Sequence, residues 1–184
     1  ITPDTPVTIT VPKNTKGAKI AVNKAEPLPL VAVETTTPQG TTVEMRIPAG
    51  TEIINPPADW DGTITLPEVK VKPTTIPVQA QKVTAVIEVG LPDKEITFDK
   101  AVRLLVPGQK GKSAGYIRNG EFTQITYTIT KDDQETADKE LVDKIRDGKV
   151  DVGNDLAIWT KHFTEFIAYT PATSEGSKSS GGGT

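Results

Sequence analysis

The sequence has no cysteine and a single histidine, His162. The first absence excludes disulfides, thiol catalysis and Cys-ligated metals. Aromatic residues are only 5% of the chain, and the formal charge is −3 with Lys and Arg scattered among Asp and Glu. No basic stripe with interleaved aromatics exists, so nucleic acid is not an expected partner. No apolar run approaches the roughly 18 residues that a membrane-crossing helix needs. Nor is there an acidic pair at a recognisable catalytic spacing. Turnover on an outside substrate is therefore not expected, and no cofactor is expected either.

What the chain has in abundance is Thr, Val, Pro and Gly, with 15 each of the last two. Thr and Val favour strands, and the frequent Pro and Gly cut the chain into short segments. The expected fold is all-β: a mostly antiparallel β-sandwich with one short α-helix near residues 132–147. A length of 184 residues suits one large domain or two small ones. Residues 1–80 read as an N-terminal β subdomain or as the first part of the same sandwich, and 81–171 as the C-terminal sandwich. Residues 172–184, ending "TSEGSKSSGGGT", read as a Gly/Ser-rich linker. The start at Ile1 and this tail lead us to expect one module of a longer extracellular or cell-surface protein. Its expected partners are the rest of that protein or neighbouring subunits.

Several segments carry clear periodicity. "TPVTITVP" alternates Val7, Ile9 and Val11 with Thr, as a half-buried strand does. "KVTAVIEVG" places Val83, Ala85, Ile87 and Val89 on one face. "KEITFDKAVRLLVPG" carries Ile96 and Phe98, then Val102, Leu104 and Val106 in the same phase after a short break. "YIRNGEFTQI" has a hairpin signature, because Asn119-Gly120 accepts positive φ at both turn positions. In "KDDQETADKELVDKIRDGK", Ala137, Leu141 and Ile145 fall at helical spacing, Asp132 or Asp133 can cap, and Gly148 supplies a stop.

The acidic loops "ADWDG" and "DVGND" place Asp59 and Asp61, then Asp151, Asn154 and Asp155, where carboxylates can meet Ca²⁺. Neither has EF-hand spacing, and turn chemistry explains them better. "GQKGKSAG" has too few residues between its glycines for a phosphate loop, and a strand pattern follows it.

The segment with chemical potential is "WTKHFTEF", Trp159 to Phe166. As one flat strand it would put His162 and Thr164 on one face and Phe163 on the other. A hydroxyl directly after a carbonyl can attack it in an N→O acyl shift, given a base and a strained peptide. Thr164 supplies the hydroxyl to Phe163. An imidazole, with an ordinary pKa of about 6.5, supplies a base near pH 7. A single turnover over hours corresponds to a barrier of about 23 kcal/mol, which modest catalysis reaches.

His162, Phe163, Thr164, Glu165 and Phe166 resemble the cleavage motif of the GAIN domain of adhesion receptors and polycystins. They also resemble that of the related sandwich in netrin receptors and ankyrins. Those families show His, then Leu or Phe, then Ser or Thr, then one residue, then Phe. The resemblance spans Val83 to Tyr169, without the cysteines that usually flank the receptor motif. It implies His162 as base, Phe163 as acyl donor and Thr164 as nucleophile. It also implies a cut at Phe163–Thr164 after which the two pieces stay paired.

Overall fold

A computed structural model describes residues 1–2, 4–91 and 94–172. Its strands are β1 (Val7–Val11), β2 (Lys19–Ala21), β3 (Val31–Thr36), β4 (Thr42–Ile47), β5 (Ile53–Ile54), β6 (Thr63–Val69) and β7 (Ala80–Gly90). They continue with β8 (Ile96–Val106), β9 (Ser113–Arg118), β10 (Glu121–Ile125), β11 (Asp147–Val152), β12 (Asp155–Phe163) and β13 (Glu165–Pro171). One helix, α1 (Gln134–Glu140), precedes β11. The expected fold class is the observed one.

The strands form two sheets. The first has the order β1-β3-β4-β8-β12-β11, with β5 also paired to β8. The second has the order β10-β9-β13-β7-β6-β2. Only β1 and β3 run parallel; the other strand pairs among the described residues are antiparallel. Strands from the first 80 residues pair directly with later ones, β4 with β8 and β6 with β7. The inner faces of both sheets meet in one apolar cluster that runs in sequence from Val11 to Ala168.

Two smaller clusters lie on the outer faces. Ala157 and Trp159 point away from the main core and pack with Ala101, Ile129, Ala137 and Leu141 beneath α1. Asp132 locks this layer: its Oδ1 accepts from Arg103 Nε at 2.9 Å and from Trp159 Nε1 at 2.8 Å. On the other sheet, Val86, Ile117, Ile167 and Tyr169 form the outer cluster.

The helix is shorter than the expected 132–147. Asp133 caps it, its Oδ1 accepting from Thr136 N at 2.8 Å. The helix then ends at Leu141, and Asp143 takes a φ of 57°. Val142 and Ile145 are exposed rather than on the packed face. Gly148 is no helix stop; it sits in β11 opposite Trp159. The pairing of Asp147–Val152 with β12 wins over helix propensity here, because it satisfies six residues of backbone at a sheet edge.

Two irregularities redirect faces. In β7, Ala85 faces Ala168 while Val83 faces Tyr169, so Thr84 is an extra residue. The bulge sends Val83 to the outer cluster, against the expected shared face with Ala85, Ile87 and Val89. In β8, the break between Phe98 and Val102 is real. Thr160 pairs with Val102 and His162 with Thr97, so residues 98–101 stand opposite Lys161 alone.

Candidate functional site

The segment around His162 is not one flat strand. β12 ends at Phe163 in the first sheet, where Phe163 pairs with Ile96. β13 begins at Glu165 in the second sheet, between Glu88 of β7 and Ile117 of β9. The Phe163–Thr164 bond therefore lies where the chain crosses from one sheet to the other. The alternation resets there: Phe163 joins the same inner core as Phe166 and Ala168.

Thr164, at the crossing, is only 8% exposed. Its carbonyl accepts from Val89 N at 3.2 Å. Its hydroxyl donates to the Ile117 carbonyl at 2.8 Å. Phe163 is buried at 1% exposure and meets Phe98 edge-on, with centroids 4.7 Å apart. Its side chain passes so close to Gly90 that no side chain fits there.

His162 is fully buried, at 0% exposure. A buried imidazole requires hydrogen-bond partners. Asp147 provides one: its Oδ1 lies 2.7 Å from His162 Nε2 and its Oδ2 2.9 Å. Thr160, opposite Asp147 in the β11–β12 ladder, donates its hydroxyl to the same carboxylate at 2.6 Å. Thr160 Oγ1 also accepts from His162 N at 3.1 Å, which fixes the backbone beside the β8 irregularity. Tyr116 presents its ring to the imidazole edge-on at 4.6 Å. With a neutral ring and an ionised Asp147, Nε2 carries the proton and Nδ1 the lone pair.

His162 Nδ1 is buried and has no hydrogen-bond partner. The nearest charged group is Glu95, whose Oε1 lies 3.8 Å away. Glu95 also pairs with Arg118 and, through the same Oε1, with Arg146. Glu95, Ile117, Arg118, Phe163, Thr164 and Glu165 line one cleft of about 370 Å³. Glu165 is turned away from the chemistry, accepting from Thr74 N at 2.7 Å and Thr74 Oγ1 at 2.8 Å.

The structure thus brings His162, Phe163 and Thr164 together at a sheet crossing but aims the Thr164 hydroxyl at Ile117 rather than at the imidazole. Sequence reasoning missed Asp147, Thr160 and Glu95. Asp147 lies 15 residues from His162, a separation that no local motif encodes. Its one visible trace is an acid just ahead of a strand-like "GKVDV", which the longer helix reading absorbed.

The acidic loops do other work. Asp61 Oδ1 accepts from Thr63 N at 2.9 Å, and this hydrogen bond lowers its pKa. Asp59 pairs with Lys94 at 2.5 Å, and its hydrogen bond to that ammonium lowers its pKa. Asp151 and Asp155 accept from the backbone of Gly111 at 3.0 Å and Gly108 at 2.9 Å. No group of three or more His, Asp or Glu residues converges as a metal site among the described residues.

Comparison with protein-family models gives no match, and comparison with curated proteins gives none either. Among the described residues, no helix is long and apolar enough to cross a membrane.

Proposed function

We propose that this sandwich is an extracellular structural module of a larger surface protein, and that it cuts its own chain once, between Phe163 and Thr164. One observation carries the reading: a buried imidazole, held by Asp147, immediately precedes a peptide bond at the crossing between two sheets. A core histidine with one nitrogen bonded and the other bare is costly to keep, by about 1–3 kcal/mol for the unpaired group. A free lone pair on a histidine two residues ahead of the hydroxyl is what a general base needs.

In this mechanism the Thr164 hydroxyl leaves the Ile117 carbonyl and attacks the Phe163 carbonyl carbon. His162 Nδ1 takes the hydroxyl proton, and Asp147 stabilises the imidazolium that results. The proton then passes to the Thr164 nitrogen as the C–N bond breaks, leaving the Phe163 acyl group on Thr164 Oγ. Water hydrolyses that ester. The pieces stay together because β13 remains paired with β7 and β9 on its two sides.

A second reading is favoured by the Thr164 hydroxyl bond to Ile117, which holds the hydroxyl in a resting position. Here the module is an uncleaved adhesive or fibre-forming subunit, with the outermost strand β1 offering its free edge to a neighbour. Denaturing gels and intact mass separate the two. Self-cleavage yields a fragment ending at Phe163, and Thr164→Ala restores full length. A fibre subunit shows a single mass and assembles with rising concentration.

A further inference from the structure

Two buried polar atoms lack hydrogen-bond partners and face each other at the crossing: His162 Nδ1 and Glu95 Oε1, 3.8 Å apart. Arg146 Nη1 comes within 2.6 Å of that Glu95 oxygen but without hydrogen-bond alignment, so the oxygen keeps an acceptor direction free. The imidazole is fully buried and the Glu95 side chain is 19% exposed, so bulk water does not satisfy the ring nitrogen. Two acceptors at this separation accommodate one water that donates a proton to each, with oxygen distances of about 2.8 Å. The Glu95 carboxylate pairs with both arginines, and a carboxylate in an ion pair accepts but does not donate. Glu95 lines the same cleft as Phe163 and Thr164.

We infer that His162 and Glu95 form the binding site of the hydrolytic water, and that Glu95 is needed for the second half of the cut rather than the first. The inference rests on the self-cleavage reading and assigns its water. In the first half His162 acts alone on the Thr164 hydroxyl, and the ester forms. In the second, water attacks the Phe163 acyl carbon while giving a proton to the Glu95–His162 pair. The bond from that carbon to Thr164 Oγ breaks, and the departing oxygen takes a proton back. The products are a Phe163 carboxylate and a Thr164 ammonium, so one water is consumed and the protons balance. Glu95→Gln keeps the size and the cleft but replaces one accepting oxygen with an NH₂ donor, which cannot hold the water this way.

The test is spontaneous cleavage of Glu95→Gln with and without hydroxylamine at neutral pH, read by intact mass. Hydroxylamine attacks esters directly and needs no water site. Spontaneous cleavage should fall about a hundredfold or more, while hydroxylamine should still release a fragment ending in a Phe163 hydroxamate. Asn119–Gly120 is a second hydroxylamine-sensitive bond, distinguished by fragment mass, and Thr164→Ala supplies the background. Glu95→Asp keeps the charge and draws the oxygen back by one methylene, so it should show the same pattern in weaker form if the Gln variant misfolds. Glu95→Gln cleaving at the wild-type rate overturns the inference. So does a folded Glu95→Gln protein that hydroxylamine cannot cut at Phe163, because the ester then never formed. A wild-type chain that stays intact even with hydroxylamine overturns the self-cleavage reading itself, and the water site with it.

Discussion

A Cβ placed on Gly90 would lie 2.6 Å from the Cβ of Phe163. The last residue of β7 and the last residue of β12 touch backbone to side chain, each from a different sheet. Gly90 also has a φ of 98°, which L side chains rarely adopt. Gly90→Ala therefore meets both a clash and a strained backbone. It should cost about 2 kcal/mol or more in thermal or denaturant unfolding. It should also change the Phe163–Thr164 cleavage rate, since Phe163 must move.

Asp147 gives a prediction that separates holding from packing. Asp147→Asn retains the shape but presents a neutral amide to His162 Nε2, removing the charge that favours the imidazolium. Cleavage should slow by about 10²-fold or more. Asp147→Ala additionally strands His162 Nε2 in the interior, a loss of about 1–3 kcal/mol, while the Thr160 hydroxyl keeps the His162 carbonyl, 2.9 Å away, as its acceptor. The two variants should differ in melting temperature more than in cleavage. A purely structural Asp147 would tie cleavage to stability across the pair.

Asp132 should behave as a stability residue alone. It joins Arg103 and Trp159 beneath α1, on the face of the first sheet away from the main core. Asp132→Ala leaves a partly buried guanidinium and an indole N–H without their acceptor. Stability should fall by about 1–3 kcal/mol, and the Trp159 fluorescence should shift. Cleavage at Phe163–Thr164, at the far end of β12, should keep its rate under folding conditions.

Asp133 predicts an acid-sensitive helix. Hydrogen bonds from Thr136 lower its pKa from 3.8 to about 2. Because the folded value is the lower one, the capping contribution is fully present above pH 3.8 and disappears as pH falls toward 2. Titration over that window should loosen α1, followed by helical ellipticity or by Trp159 emission. Asp133→Asn should cap without this pH dependence.

Regular features were legible in the residues. The Asn119-Gly120 turn has φ values of 50° and 77°, as the dipeptide foretold. The break inside β8 also showed in the sequence, because Phe98 and Val102 keep phase across it. What was hidden is where periodicity runs on but the chain turns. Residues on both sides of Thr164 alternate with the same period, so the sheet crossing left no mark. The Thr84 bulge likewise flips Val83 without altering composition. The partners of His162 come from β11 and the start of the β8 strand region, joined to it only by strand order. His162, Phe163 and Thr164 were therefore visible as a tripeptide, while Asp147 and Glu95 became visible only once the sheets were assembled.

The position of β13 between β7 and β9 decides how tension passes through the molecule. A pull at the end of this strand runs along its axis, so both flanking ladders are loaded in shear and their hydrogen bonds must fail together. The outer strands β1, β2, β10 and β11 have one ladder each and can peel bond by bond. A load entering past residue 171 would thus first meet a strand anchored on both sides, whether or not the backbone behind it has been severed.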